Sequence, residues 1–180
     1  MSRSPLAHAF AHHVWATLRI LDACAALSPD QLAANVPSTD RSIIYTARHL
    51  VGGDAWYLFY LTGDRDHVGG DGSATRTWDP PSMDVAALRA TMARHAAAWS
   101  KLLSADPDPD RMVKEIDPED GYTRDAPVGI RLAQALQHGT DHRSQISTAL
   151  TLLGVKPPSI DAWDYGVETE LVTEVYPPGS

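Results

Sequence analysis

Two histidines, His138 and His142, stand four residues apart in the segment Leu136-Gln137-His138-Gly139-Thr140-Asp141-His142-Arg143-Ser144-Gln145-Ile146. On a helix that spacing puts both imidazoles on one face, one turn apart. Two neutral imidazoles so placed can share one divalent cation, and their nitrogens suit zinc, nickel, iron or copper. The spacing alone is a weak signal. The chain has eight histidines, so a chance pair is easy to find, and the bland alternative is two surface or core-edge rings.

A third ligand has to come from elsewhere in the chain. His49 lies on an apolar helical stripe, where an unpartnered imidazole costs free energy, and His95 lies on another. A satisfied core histidine is the ordinary explanation for each. His8, His12 and His13 crowd one helix, so at most one of them faces a core well. His67 falls in a loop and is expected to be solvated.

Four long segments with helical period would carry these residues. The first opens at Ser4-Pro5, a cap followed by proline, and its stripe runs through Phe10, His13/Val14, Thr17, Leu21 and Cys24. Ser28-Pro29 starts a short extra turn to Leu32. The second helix is expected from near Ser38 to Asp40 up to Gly63, with Tyr45, His49, Gly53, Trp56 and Tyr60 on its stripe. Gly52-Gly53 inside it points to close helix packing, or to space for a ligand one turn from His49. Asp64 to Pro81 reads as a long loop. The third helix is expected from Ser82 to about Ser104, with Val85, Leu88, Met92, His95, Trp99 and Leu102 inward. Alternation at Met112, Lys114 and Ile116 before Asp120-Gly121 suggests a small hairpin or an irregular excursion. The fourth helix is expected from near Pro127 to Gly154, and its stripe contains Ala135, His138, His142, Ile146, Ala149 and Leu153. The reading is an all-α four-helix bundle in one domain over 1–180, with a core of about 4–154 and an extended C-terminal arm over 155–180.

Composition narrows the function classes. A hydrophobic fraction of 43% is that of a globular chain. A net charge of −8 and no cluster of Lys and Arg argue against nucleic acid and against an anionic membrane surface. Histidines interrupt the N-terminal apolar residues, so no signal peptide or membrane span is expected. The single cysteine, Cys24, cannot form an intrachain disulfide, and a cytoplasmic location is expected.

The chain resembles the DinB/YfiT-like superfamily of bacterial metal-binding four-helix proteins. The segments that carry the likeness are Thr46-Ala47-Arg48-His49-Leu50-Val51 with Trp56-Tyr57, the segment from Leu136 to Ile146, and Pro157-Pro158-Ser159-Ile160-Asp161-Ala162-Trp163-Asp164-Tyr165. One departure is Ser144, at a position where glycine is common. The resemblance implies one divalent ion on His49, His138 and His142, and implies that His95 is not a ligand. Zinc or nickel is favoured, with iron or manganese as further options. The resemblance also implies a homodimer, and a metal-dependent enzyme that acts as a transferase or isomerase using a low-molecular-weight thiol. The alternatives are a metal-dependent hydrolase and a non-catalytic stress-related protein in which the ion is structural. Asp54 and Asp141 are acids available to orient the ligating rings, and Arg143 and Gln145 would either orient a substrate or tie helices together.

Overall fold

Side-chain caps set the helix starts. Ser4, Ser42 and Asp84 each accept a hydrogen bond from the backbone N–H three residues on, which opens α1 (Pro5–Ala25), α3 (Ile43–Thr62) and α4 (Val85–Ser104). Between the first two, Ser28 and Gln31 close a reciprocal capping box on the one-turn α2 (Pro29–Leu32). The computed structural model describes residues 4–37, 39–68, 83–117, 121–175 and 177. Ser38 and Ser82, two expected helix starts, lie outside the described residues, as do residues 69–81 of the expected long loop. α3 begins later than expected because Asn35 bridges Ser42 and the Ile43 N–H bonds to Ala34, which holds the preceding residues in a turn. It ends where expected, with Gly63 at φ 75°, a left-handed cap that glycine adopts without a Cβ penalty. Arg65–Val68 form a 3-10 turn.

The expected hairpin is present. β1 (Met112–Ile116) pairs antiparallel with β2 (Thr123–Pro127), with Met112 opposite Pro127. Its inward face carries Val113 and Glu115, while Met112, Lys114 and Ile116 face out. The buried Glu115 accepts from Trp56 Nε1 at 2.9 Å and from Arg131 Nη1 at 2.7 Å, which fastens the hairpin to α3 and to α5 (Val128–Leu152). The tail departs from the expected extended arm. Asp161 caps the N–H groups of Trp163 and Asp164 and starts a two-turn helix, α6 (Ala162–Glu168). The Pro-Pro pairs that suggested an extended chain lie on either side of it.

The long helices pack in a ring: α1 lies against α4 and α5, and α3 lies against α5 and α4. Phe10, Ile20, Leu21, Leu50, Leu58, Leu88, Met92, Trp99, Ile146 and Leu150 fill the centre. Within this apolar interior sits Asp54, 2% exposed. Its Oδ1 accepts from His13 Nε2 at 2.9 Å, and its Oδ2 accepts from His95 Nδ1 at 3.1 Å and from Trp99 Nε1 at 2.8 Å. Burial pushes this carboxyl up, but its contacts with His13 and His95 outweigh it and hold the pKa far below the ordinary value. Arg143 on α5 completes the set by donating from Nη1 to His13 Nδ1 at 3.0 Å and to Thr17 at 3.1 Å. A guanidinium can only donate, so His13 accepts at Nδ1 and carries its proton on Nε2, facing Asp54. Burial lowers Arg143 to about 10, which leaves it charged at neutral pH.

Removing the carboxylate would strand three buried donors and an arginine. Asp54→Ala is expected to cost roughly 3–5 kcal/mol in urea unfolding. A loss below about 1 kcal/mol would show that the network does not hold the bundle.

Candidate metal centre

α3 and α5 face each other across the side of the bundle that carries His49, His138 and His142. One ligand atom from each of the three rings lies within 4.8 Å of the others. The Nε2 atoms of His138 and His49 are 3.2 Å apart. Nitrogen ligands bound tetrahedrally at about 2.0–2.1 Å stand about 3.3 Å from one another, so this pair is at the separation one shared ion requires. The ring centroids are 5.0, 4.8 and 4.4 Å apart, and the three rings meet at steep angles, as imidazoles converging on one point do.

Each ring is held by its surroundings. His142 donates from Nδ1 to Gln145 Oε1 at 2.8 Å, one turn along α5, which leaves Nε2 as the lone-pair nitrogen. The edge of His138 meets the Tyr57 ring at 5.8 Å, and His49 stacks beside Tyr45 at 6.5 Å. Burial, with His142 and His49 adding to it, lowers His138 to about 3, so at neutral pH its ring is in the uncharged form that binds a cation. Gly53 makes the space for it. A Cβ there would fall 2.4 Å from His138 Cε1, closer than atoms can approach. Both sequence explanations of Gly52-Gly53 therefore meet at one residue: the helices pack closely at Gly53, and what packs there is an imidazole of the triad. Gly139 does the same on the other side of α5, where a Cβ would fall 2.3 Å from His13 Cε1.

The other candidate residues take different places. His95 belongs to the Asp54 network rather than the triad. Among the crowded histidines of α1, His13 faces the core, while the half-buried His12 donates to the Ile160 carbonyl at 2.8 Å. His67 is not solvated as expected. Its side chain is 15% exposed, its ring lies 6.0 Å from that of His95, and burial lowers its pKa. Asp54 does not orient the triad, because its oxygens are taken by His13, His95 and Trp99. The exposed Asp141 accepts from Gln137 at 2.8 Å. Arg143 ties α5 to α1, whereas Gln145 orients His142.

The DinB family model matches residues 1–172. The chain belongs to the DinB family. No curated protein matches it. The DinB match spans all four long helices and α6, and the three-histidine cluster in this DinB chain is compatible with metal binding. No helix among the described residues is long and apolar enough to cross a membrane.

His138 gives the metal-free protein a defined pH response. Its folded pKa of about 3 lies below the unfolded value of 6.5, so between those values the unfolded chain binds a proton that the folded chain does not. Stability should therefore fall as pH drops through about 6.5, and go on falling toward 3. With a chelator present, the loss between about pH 7 and about pH 4.5 should be about 1–2 kcal/mol larger in wild type than in His138→Gln, discounted for partial solvent screening. Parallel pH profiles in urea unfolding would contradict the burial argument.

Proposed function

We propose that this DinB protein binds one divalent metal ion through His49, His138 and His142, and uses it as the centre of an enzyme that acts on a small molecule. The observation that carries this reading is the convergence of three imidazoles that are only partly buried. Three protein ligands leave coordination positions free, which is the pattern of catalytic rather than structural zinc sites. Partial exposure gives solutes access, whereas an ion that served only to staple the bundle would need no opening.

The reaction class we propose is transfer or isomerisation with a low-molecular-weight thiol as co-substrate. A bound divalent ion would supply Lewis acidity, lowering the pKa of a thiol in its open position. The chain itself offers no such thiol. Cys24 is fully buried, and burial pushes it up to about 12. The nucleophile must therefore arrive with the substrates. The chain's own part is to keep His138 neutral by desolvation and to aim His142 through Gln145. Zinc or nickel fits three imidazoles best, with iron or manganese as alternatives. We also propose a homodimer, supported by exposed apolar side chains such as Trp163 and Leu171, and a cytoplasmic setting.

Metal analysis of untagged protein should give about one divalent ion per chain. Added zinc should raise the melting temperature at about pH 7.5, and the gap should close near pH 5 as protons displace it from the imidazoles. His142→Ala should abolish the gap. A gap unchanged in that variant would place the ion elsewhere.

Zinc- or nickel-loaded protein should accelerate conjugation of a model electrophile with at least one thiol of a small panel. His49→Ala should remove about 10²-fold or more of that rate. A metal-dependent release of carboxylic acid from simple esters, with no response to any thiol, would instead favour the hydrolase.

A further inference from the structure

A cavity of about 460 Å³ lies between α1, α5 and α6, on the face of α5 turned away from the triad. Its walls are specifically built. Glu168 on α6 accepts from Trp15 at 3.0 Å and pairs with Arg19 at 2.6 Å, while His12 holds the Ile160 carbonyl, so α6 and the chain leading to it are pinned to α1. The chain then turns back, with the N–H groups of Leu171 and Val172 bonding to the Gly166 carbonyl. A Cβ on Gly166 would fall 2.6 Å from Val172 Cγ2, so glycine is what lets this return strand close the wall.

The lining is mostly apolar, with Leu136, Leu171 and Val172 prominent beside the rings of His8, His12 and His13, and among the described residues it includes no acidic side chain, in a protein whose net charge is −8. At its base is Arg143, 3% exposed. Among the described residues no carboxylate pairs with it directly, and Asp54 is reached only through His13. Its Nη1 is engaged by His13 and Thr17, and its Nη2 by Thr140. The Nε–H donates to no described group, and with Nη2 it forms the side of a guanidinium that grips a carboxylate by two parallel bonds.

We propose that this cavity binds a small monocarboxylate with an apolar body, its carboxylate on the Nε/Nη2 side of Arg143 and its body against Leu136, Leu171 and Val172. The volume is that of ordinary small-ligand sites, and one buried cation in an apolar, acid-free cavity selects one negative charge joined to hydrocarbon. The site does not depend on the metal ion.

Calorimetric titration with hexanoate, in the presence of a chelator so that no metal ion can take the carboxylate, tests this. Saturable binding is expected, at least about tenfold tighter than for hexanamide, which has the same body without the charge. Leu136→Trp, which fills the cavity and leaves Arg143 in place, should weaken hexanoate at least about tenfold with the melting temperature near wild type. Arg143→Met should weaken hexanoate by a similar factor if it folds, and the Leu136→Trp result stands if it does not. No saturation at millimolar hexanoate, equal binding of hexanamide, or unchanged affinity in a folded Leu136→Trp protein would each overturn the proposal. These outcomes are independent of whether the triad binds zinc.

Discussion

One buried carboxylate joins all four long helices. Asp54 projects from α3, takes His13 from α1, takes His95 and Trp99 from α4, and reaches Arg143 of α5 through His13. Apolar packing alone tolerates sliding, because one leucine contact resembles the next. A carboxylate with three directed donors fixes one rotation and one height for each partner, since any other setting leaves buried polar groups unpaired. Asp54 and Arg143 lie on opposite sides of His13, so the network holds one charge of each sign without a direct ion pair between them.

The register of the triad follows from this. Gly53 and Asp54 are neighbours on α3, and they do opposite things. Gly53 gives up its side chain so that His138 can lie against the helix, and Asp54 holds the helix to α1 and α4. On α5, Gly139 makes room for His13 immediately after His138 turns toward α3. Each glycine admits an imidazole from another helix, so α3, α5 and α1 interlock at ring-sized notches rather than at smooth faces. His49 meets His138 and His142 because those notches allow the helices only one separation.

Much of this was legible in the sequence, and the exceptions have physical causes. The four long helices, the Gly63 stop and the hairpin announce themselves through period, caps and turn residues. So does the His138/His142 pair, whose relation is set by helix geometry alone. His49 could be assigned only through family resemblance, because which helix faces α5 is a tertiary fact. The tail departs from the expected arm because proline pairs speak about their own positions and not about the residues between them, where Asp161 caps the seven-residue α6. The Asp54 hub was hidden for a related reason. An acid beside a histidine stripe looks like a partner of the nearest ligand, yet α3 turns Asp54 away from His49 and toward three donors spread over two other helices. The loop position of His67 suggests a solvated ring, but the 3-10 turn after α3 folds it back toward His95.

The division of labour between the two polar clusters bears on the proposed chemistry. Among the described residues, an amide, Gln145, orients His142 along α5, whereas the Asp54 carboxylate is bonded in the core to rings outside the triad. A carboxylate bonded to a ligating imidazole makes that ring more basic and a stronger donor, and so tempers the ion it holds. Imidazole ligands carry no negative charge of their own, so a divalent ion held by three of them would keep its formal charge of two, which favours an anionic ligand in the open position. A thiolate meets that demand better than a neutral alcohol or amine does, and the thiol must come from outside because Cys24 is sealed in the core. By keeping Asp54 among its own donors, the bundle gains a fixed register and holds that acid away from His138 and His142, so one placement bears on both the fold and the proposed site.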